Sequence, residues 1–292
     1  MKKNSLIFVI FLLLIVVLAG CSFKAEAQKP KKEPAEKSVV QPVEKQTVEE
    51  EEVINEEQKE VDTSQWIDVN EPAKIPILMY HSISSGNSLR VPKEEFRAHM
   101  KWLKDNGYYT LSPEEAYLVL TQNKIPTEKT VWITFDDGYE DNYTEAYPIL
   151  KEYGLKASIF MIGKLIDKNN HLTTNQMLEM STNEISIESH TYSHLELNSL
   201  TPSQQMEEMK RSKELFDHML DQETSILCYP VGQYNEETLK LAEETGYKMA
   251  LTTEPGAASS DQGLYALHRI RISPGMPPNW FGTLVSGTED GH

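Results

Sequence analysis

Apolar residues along the chain fall into short runs, separated by longer stretches where they recur every three or four positions. The runs over 75–80 (IPILMY), 130–135 (TVWITF), 156–162 (KASIFMI), 184–188 (EISIE), 225–229 (SILCY), 247–252 (YKMALT) and 267–272 (LHRIRI) read as strands. Phe96, Met100 and Leu103 stand at i, i+4 and i+7 and mark one face of a helix. Ser112 followed by Pro113, Glu114 and Glu115 is a helix start: a capping residue, proline at the first position, then acids. Residues 141–153 read as a helix ended by Gly154. A long helix opens at Thr201-Pro202-Ser203 and runs through 220, and another spans 235–244 before Gly246. No repeat period is evident. Six or more strand-then-helix units predict one domain with a parallel sheet, open or closed into a barrel.

The first 71 residues break this pattern. Lys2 and Lys3 precede an apolar run from Leu6 to Leu18. The uncharged stretch 5–20 is short for a membrane span, which needs about 20 residues. Leu18-Ala19-Gly20-Cys21 resembles a bacterial lipobox, which implies cleavage before Cys21 and lipidation of its thiol. An uncleaved N-terminal anchor is the other reading, and both place the remainder outside the cytoplasmic membrane. Residues 22–62 hold no glycine and one aromatic, Phe23, so they bury too little apolar surface to offset chain entropy. A helical stalk through the Glu-rich part is the alternative. The expected division is a lipoprotein signal peptide at 1–20, a lipidated, disordered acidic tether at 21–71, a catalytic domain at 72–285 and a flexible tail at 286–292.

The formal net charge of -17 argues against nucleic acid as a partner, although residues 49–62 alone carry eight acids against one lysine. With Cys21 lipidated, Cys228 has no cysteine partner, and the domain must hold through its core. A stretch of 72–285 is long enough for one large core.

Polar clusters sit directly after three strands: His81, Asp136-Asp137 and His190. In an α/β barrel such positions line one shared mouth. Two adjacent carboxylates repel each other, and a strand end beside a core is a costly place for them. His190 and His194, four residues apart, can reach one ion. Two histidines and one carboxylate form a three-ligand site with room for water, the arrangement of a catalytic metal. One aspartate would ligate, its neighbour would be free to act as base, and the cation would offset their repulsion.

T-F-D-D-G at 134–138 with H-T-x-x-H at 190–194 resembles the first two motifs of the polysaccharide deacetylases, the NodB-type homology domain of carbohydrate esterase family 4, over roughly 72–275. That resemblance implies a distorted (β/α) barrel. It implies Asp136 as catalytic base, and Asp137, His190 and His194 as ligands of one divalent ion, most often Zn2+. The third motif departs from the commoner pattern. Cys228-Tyr229-Pro230-Val231-Gly232 has Cys228 where many members carry an arginine and Val231 where they carry an aromatic. The Tyr-Pro-x-Gly is similar to the poly-N-acetylglucosamine deacetylase branch. The resemblance gives the Val231 backbone N–H a share in holding the oxyanion. Arg269 is the candidate for orienting Asp136 in place of the missing arginine, with Arg271 second. His81 matches the branch's acid-bearing N-terminal segment and is ranked above His268 as the acid. His99, His171 and His218 read as surface. Cys228 reads as dispensable as a thiol, and Pro277–Phe281 as either a sugar platform or a plug on the barrel.

The expectation is a monomeric, lipid-anchored hydrolase on the extracellular face of the cell membrane. It would remove N-acetyl groups from a GlcNAc-containing polysaccharide: poly-N-acetylglucosamine, peptidoglycan or chitin-like polymer. An O-acetyl glycan esterase would carry the same site. A catalytically silent sugar-binding lipoprotein would lack the base or a ligand, and here all four positions are filled.

Overall fold

The computed structural model describes residues 61–287. The strands are β1 (Ile67–Asp68), β2 (Lys74–Ile75), β3 (Ile77–Tyr80), β4 (Tyr109–Thr110), β5 (Lys124–Ile125), β6 (Thr130–Asp137), β7 (Ala157–Met161), β8 (Ile185–Ser189), β9 (Ile226–Cys228), β10 (Met249–Pro255), β11 (Ala258–Ser259) and β12 (Leu267–Arg271). The helices are α1 (Lys93–Asp105), α2 (Pro113–Gln122), α3 (Tyr147–Tyr153), α4 (Thr174–Ser181), α5 (Pro202–Leu220), α6 (Glu236–Glu244) and α7 (Pro278–Ser286). A single π turn, Asn142–Ala146, leads into α3.

Seven strands close on themselves in the order β3-β12-β10-β9-β8-β7-β6, and β6 pairs back onto β3 from Ile77↔Trp132 to Tyr80↔Phe135. Each of these pairings is parallel. The short β4 lies beside the first residues of β6. Closure leaves the ring without a free edge, and parallel strands bring all their C-terminal ends to one face. The expected distorted (β/α) barrel is therefore the observed fold.

The period of two along β6 sorts its side chains. Val131, Ile133 and Phe135 pack outward with Leu78, Tyr80 and Ile159 beneath the helices. Trp132, Thr134 and Asp136 alternate inward. Trp132 lies in a cluster with Ile77, Phe160, Leu251 and Leu267, and its Nε1–H donates to Ser158 Oγ at 2.9 Å. The barrel interior is thus apolar where the strands begin and polar where they end. A one-residue register slip would exchange Asp136 for Phe135 at the mouth, so burial of the outer face also fixes the site.

Helix starts follow local chemistry. Ser112 accepts from the Glu115 N–H while Glu115 reaches back to the Ser112 N–H, which satisfies two orphan donors of α2. Thr173 and Gln176 do the same for α4, a helix the periodicity reading missed although the T-x-x-Q signal is present.

Three expectations need correction. Part of the segment assigned to the tether belongs to the fold: β1 pairs antiparallel with β5, and Trp66 packs on the core beside it. A two-residue strand carries no periodicity, so nothing local marked it. His99 is buried, not surface: it shares the inner face of α1 with Phe96 and Met100. Its Nδ1 meets Tyr80 Oη at 3.1 Å, its Nε2 meets the Met276 carbonyl at 2.7 Å, and its ring stacks on Phe281. The segment at 277–281 opens α7; Phe281 packs on α1 as a plug on the helix layer while Trp280 stays exposed, and residue 286 closes that helix rather than beginning a tail. The signal peptide, Cys21, the tether through residue 60 and the tail from 288 lie outside the described residues.

Candidate active site

Asp136 ends the inward row of β6. The chain then turns through two consecutive left-handed residues, Asp137 (φ 73) and Gly138 (φ 71). This reversal sends the neighbouring carboxylates to different partners. Gly138 has a second reason to be glycine: a Cβ there would stand 2.0 Å from Met161 Sδ.

His190 follows β8 and is buried. Its Nδ1–H donates to the Cys228 carbonyl at 2.8 Å, which leaves the Nε2 lone pair facing the mouth. Thr191 (φ 62) and His194 (φ 59) curl the loop so that the second imidazole returns to the first. The curl is pinned to α5, where Glu208 accepts from the Tyr192 and Ser193 N–H groups. Asp137 Oδ1 lies 3.5 Å from His190 Nε2 and 3.5 Å from His194 Nε2. Zinc bonds to nitrogen or oxygen are ~2.0–2.2 Å long, so two ligands at a tetrahedral angle stand about 3.3–3.6 Å apart. The spacing matches, and the three donor atoms lie within 4.8 Å of one another. The residues present therefore fit a divalent ion.

Asp136, His190 and Cys228 form a second close group. It does not suit a metal. Both Asp136 oxygens already accept from a guanidinium, and a cation placed there would face that charge. The guanidinium is that of Arg269, delivered from β12. Its Nη1 and Nη2 donate to Asp136 Oδ1 and Oδ2, each at 2.7 Å. Nε–H donates to the Thr252 carbonyl at 2.7 Å, Nη1 reaches Thr134 Oγ1 at 3.3 Å, and Nη2 reaches Cys228 Sγ at 3.1 Å. All five guanidinium donors are matched, as burial at 1% exposure requires. Burial alone would raise the Asp136 carboxyl. The Arg269 charge and its hydrogen bonds, with His190 and His81 behind them, outweigh that and hold it well below the usual carboxylate range. Asp137 is likewise raised by burial and lowered, on balance, chiefly by His190.

Cys228 closes the cradle of Arg269 with its sulfur, which lies 3.7 Å from Asp136 Oδ1. Its small volume is what lets the guanidinium of Arg269 lie against β9, the strand on which an arginine at 228 would stand. Thr134 and the Thr252 carbonyl, which also hold Arg269, went unremarked in the sequence. The period of two puts Thr134 on the same face as Asp136, and that was the available signal.

His81 follows β3, and its Nε2 lies 3.8 Å from Asp136 Oδ2 with the side chain 12% exposed. Burial lowers His81 below the ordinary histidine value, with Asp136 and Asp137 opposing. His268 alternates with the inward Leu267 and Arg269 on β12, and the nearest atom to a Cβ built on Gly256 is its Nδ1. It therefore lies away from Asp136. Arg271 is exposed, and the guanidinium that clamps Asp136 is that of Arg269. Val231 sits in the turn after β9 at φ 56 and is 55% exposed. A left-handed β-branched residue is strained by about 1–3 kcal/mol, and such strain collects at functional turns. Tyr139, just beyond Gly138, lies against Asp137 and stacks on His171, so His171 has a partner the sequence did not show.

A model of the polysaccharide deacetylase family matches residues 123–250. A Bacillus subtilis protein that carries the polysaccharide deacetylase name, YxkH, is 68% identical over 224 residues, which is 77% of this chain and 80% of that protein. The poly-β-1,6-N-acetyl-D-glucosamine N-deacetylase of Staphylococcus epidermidis is 27% identical over 218 residues, 68% of this chain and 75% of its own. Among solved structures, the Streptococcus pyogenes deacetylase PplD in complex with acetate superposes with a TM-score of 0.72 at 42% identity, covering 74% of this chain and 99% of that one.

Proposed function

Because this chain belongs to the polysaccharide deacetylase family, and is a hydrolase of that kind, we propose that it removes N-acetyl groups from a GlcNAc-containing polysaccharide with one divalent ion, zinc first, at Asp137, His190 and His194. The observation that carries this reading is the division of labour between two adjacent aspartates: Asp136 is clamped by Arg269, while Asp137 turns to the two histidines. The N-acetylglucosamine polymer named for the Staphylococcus relative and the acetate bound to PplD support the chemistry.

An ion in that ligand set would polarise the acetamide carbonyl and acidify a water. Asp136, ionised at any working pH, accepts the proton of the attacking water; the clamp costs it basicity and gives it a fixed aim. The Val231 N–H donates to the developing oxyanion. His81 donates a proton to the departing amine, and its lowered pKa makes the protonated form a stronger acid.

The test is acetate release by the full chain from poly-N-acetylglucosamine, peptidoglycan, chitin oligomers and an O-acetylated glycan, with metal analysis alongside. Release from N-acetyl substrates that stops with chelator and returns with zinc is expected. Release from the O-acetylated glycan alone would make the protein an esterase, and release from none would favour a binding protein.

The acid assignment is checked separately. His81→Ala should keep metal and KM and lose roughly 10²-fold or more in kcat, in the range of general acid catalysis. His268→Ala should be mild. A severe loss at His268 with a near-normal His81→Ala would move the acid to β12.

We also propose attachment to the outer face of the membrane through a lipid on Cys21, supported by the lipobox-like Leu18-Ala19-Gly20-Cys21. Labelled palmitate should enter the wild type and not Cys21→Ala, with deacetylase activity kept. Equal labelling of both would rule the anchor out.

A further inference from the structure

We propose that Asn142, with Asp141 beside it, is a positioning residue that sets His81 against the catalytic base. The proposal rests on the reading of His81 as proton donor and goes one step behind it. After Gly138 the chain enters the π turn Asn142–Ala146, in which the Tyr147 N–H bonds to the Asn142 carbonyl. A π turn is a rare and wide opening to a helix, and such turns concentrate at functional sites. Here its first side chain and the one before it both face the segment that follows β3. Asn142 Nδ2 donates to the His81 carbonyl at 2.7 Å. Asp141 Oδ1 accepts from the Ile83 N–H at 2.9 Å, and Asp141 Oδ2 accepts from Ser82 Oγ. Three successive residues, 81 to 83, are thus gripped by two.

Packing alone does not explain an asparagine here. Asn142 is 1% exposed, and its Oδ1 has no hydrogen-bond partner among the described residues. A buried amide oxygen left without a partner is destabilising, so an apolar residue of similar size would serve the core better. What the amide supplies is its Nδ2 donor, which bonds the His81 carbonyl at 2.7 Å and also reaches Asp141 Oδ1 at 3.4 Å, so it ties its fellow residue of the grip as well as His81. The Nδ2 assignment follows from that contact, since the flipped amide would set oxygen against oxygen.

The grip acts on the backbone of His81 and refers its position to Asp136. Asp136 lies at the end of β6 and Asn142 opens the π turn six residues later, so the grip on His81 is anchored a short length of chain from the base. The 3.8 Å between His81 Nε2 and Asp136 Oδ2 is maintained from both sides.

A double-mutant cycle tests this, with kcat, KM and bound zinc measured for wild type, His81→Ala, Asn142→Ala and the pair. Asn142→Ala should lower kcat by about tenfold, the scale of a small misplacement of a reacting group, with KM within about twofold and one zinc bound. In the His81→Ala background it should cost less than about twofold, because its effect passes through the imidazole. The same fold-loss in both backgrounds, or a near-normal Asn142→Ala, would overturn the proposal. If Asn142→Ala does not fold, Asp141→Asn takes its place in the cycle, with a loss of about threefold that again vanishes without His81. A near-normal His81→Ala overturns the donor assignment itself, whereas a severe His81→Ala with an additive Asn142→Ala overturns only the positioning role.

Discussion

Asp136→Asn is expected to abolish most turnover, by about 10²–10⁴-fold in kcat, while the protein still binds one equivalent of zinc. The variant removes the proposed base and keeps the three proposed ligands. An amide accepts one hydrogen bond from Arg269 where the carboxylate accepts two, so the clamp weakens without opening toward the metal. Asp137→Asn should do the reverse, since its Oδ1 is the atom 3.5 Å from both imidazole nitrogens. Zinc content and acetate release on the two variants check the pair. Loss of zinc from Asp136→Asn with retention in Asp137→Asn would exchange the roles.

Arg269→Met should be the most destabilising single change in the site. It leaves a carboxylate of 2% exposure without its cation, and breaking a buried pair from one side costs about 3–5 kcal/mol. In a domain of this size that is on the order of 10 °C in Tm. The pH dependence should also change sign. In the wild type, the folded-state value of Asp136 lies below the unfolded value of ~3.9, so its contribution is present above that pH and fades as pH falls through it. Without Arg269, burial dominates and raises the group, so stability is lost as pH climbs above ~3.9. Thermal midpoints from pH 4 to 8 should therefore show the variant closest to wild type at the acid end. Asp136→Asn in the same chain should recover much of the loss. An unchanged midpoint at pH 7 for Arg269→Met would mean that the pair contributes little.

The barrel was readable because its signals are local: seven strand runs, helix caps, and ligand clusters directly after strands. His190 and His194 share one loop, and Asp136 and Asp137 are neighbours, so proximity in sequence sufficed to group them. Arg269 lies 133 positions from Asp136, and only the gap left by Cys228 pointed to it. Its inward aim was decided by strand alternation, which also turned His268 away. His99 was misread because a polar residue on an apolar helix face looks like the edge of the stripe until both ring nitrogens are seen to have partners. Asp141 and Asn142 read only as a helix start; their reach to residues 81–83 depends on the closure of β6 against β3, which no local pattern encodes.

The small antiparallel pair of β1 with β5 gives the domain a mechanical polarity. β5 lies between the end of α2 and the start of β6, where the strands begin, and Asn123 staples the incoming chain there through the Val69 carbonyl and the Ala73 N–H. The groups proposed for catalysis lie where the strands end. A pull transmitted through residue 61 therefore loads the floor of the barrel and spares the mouth. The β1–β5 pair, which lies outside the closed ring, is the first pairing such a pull meets.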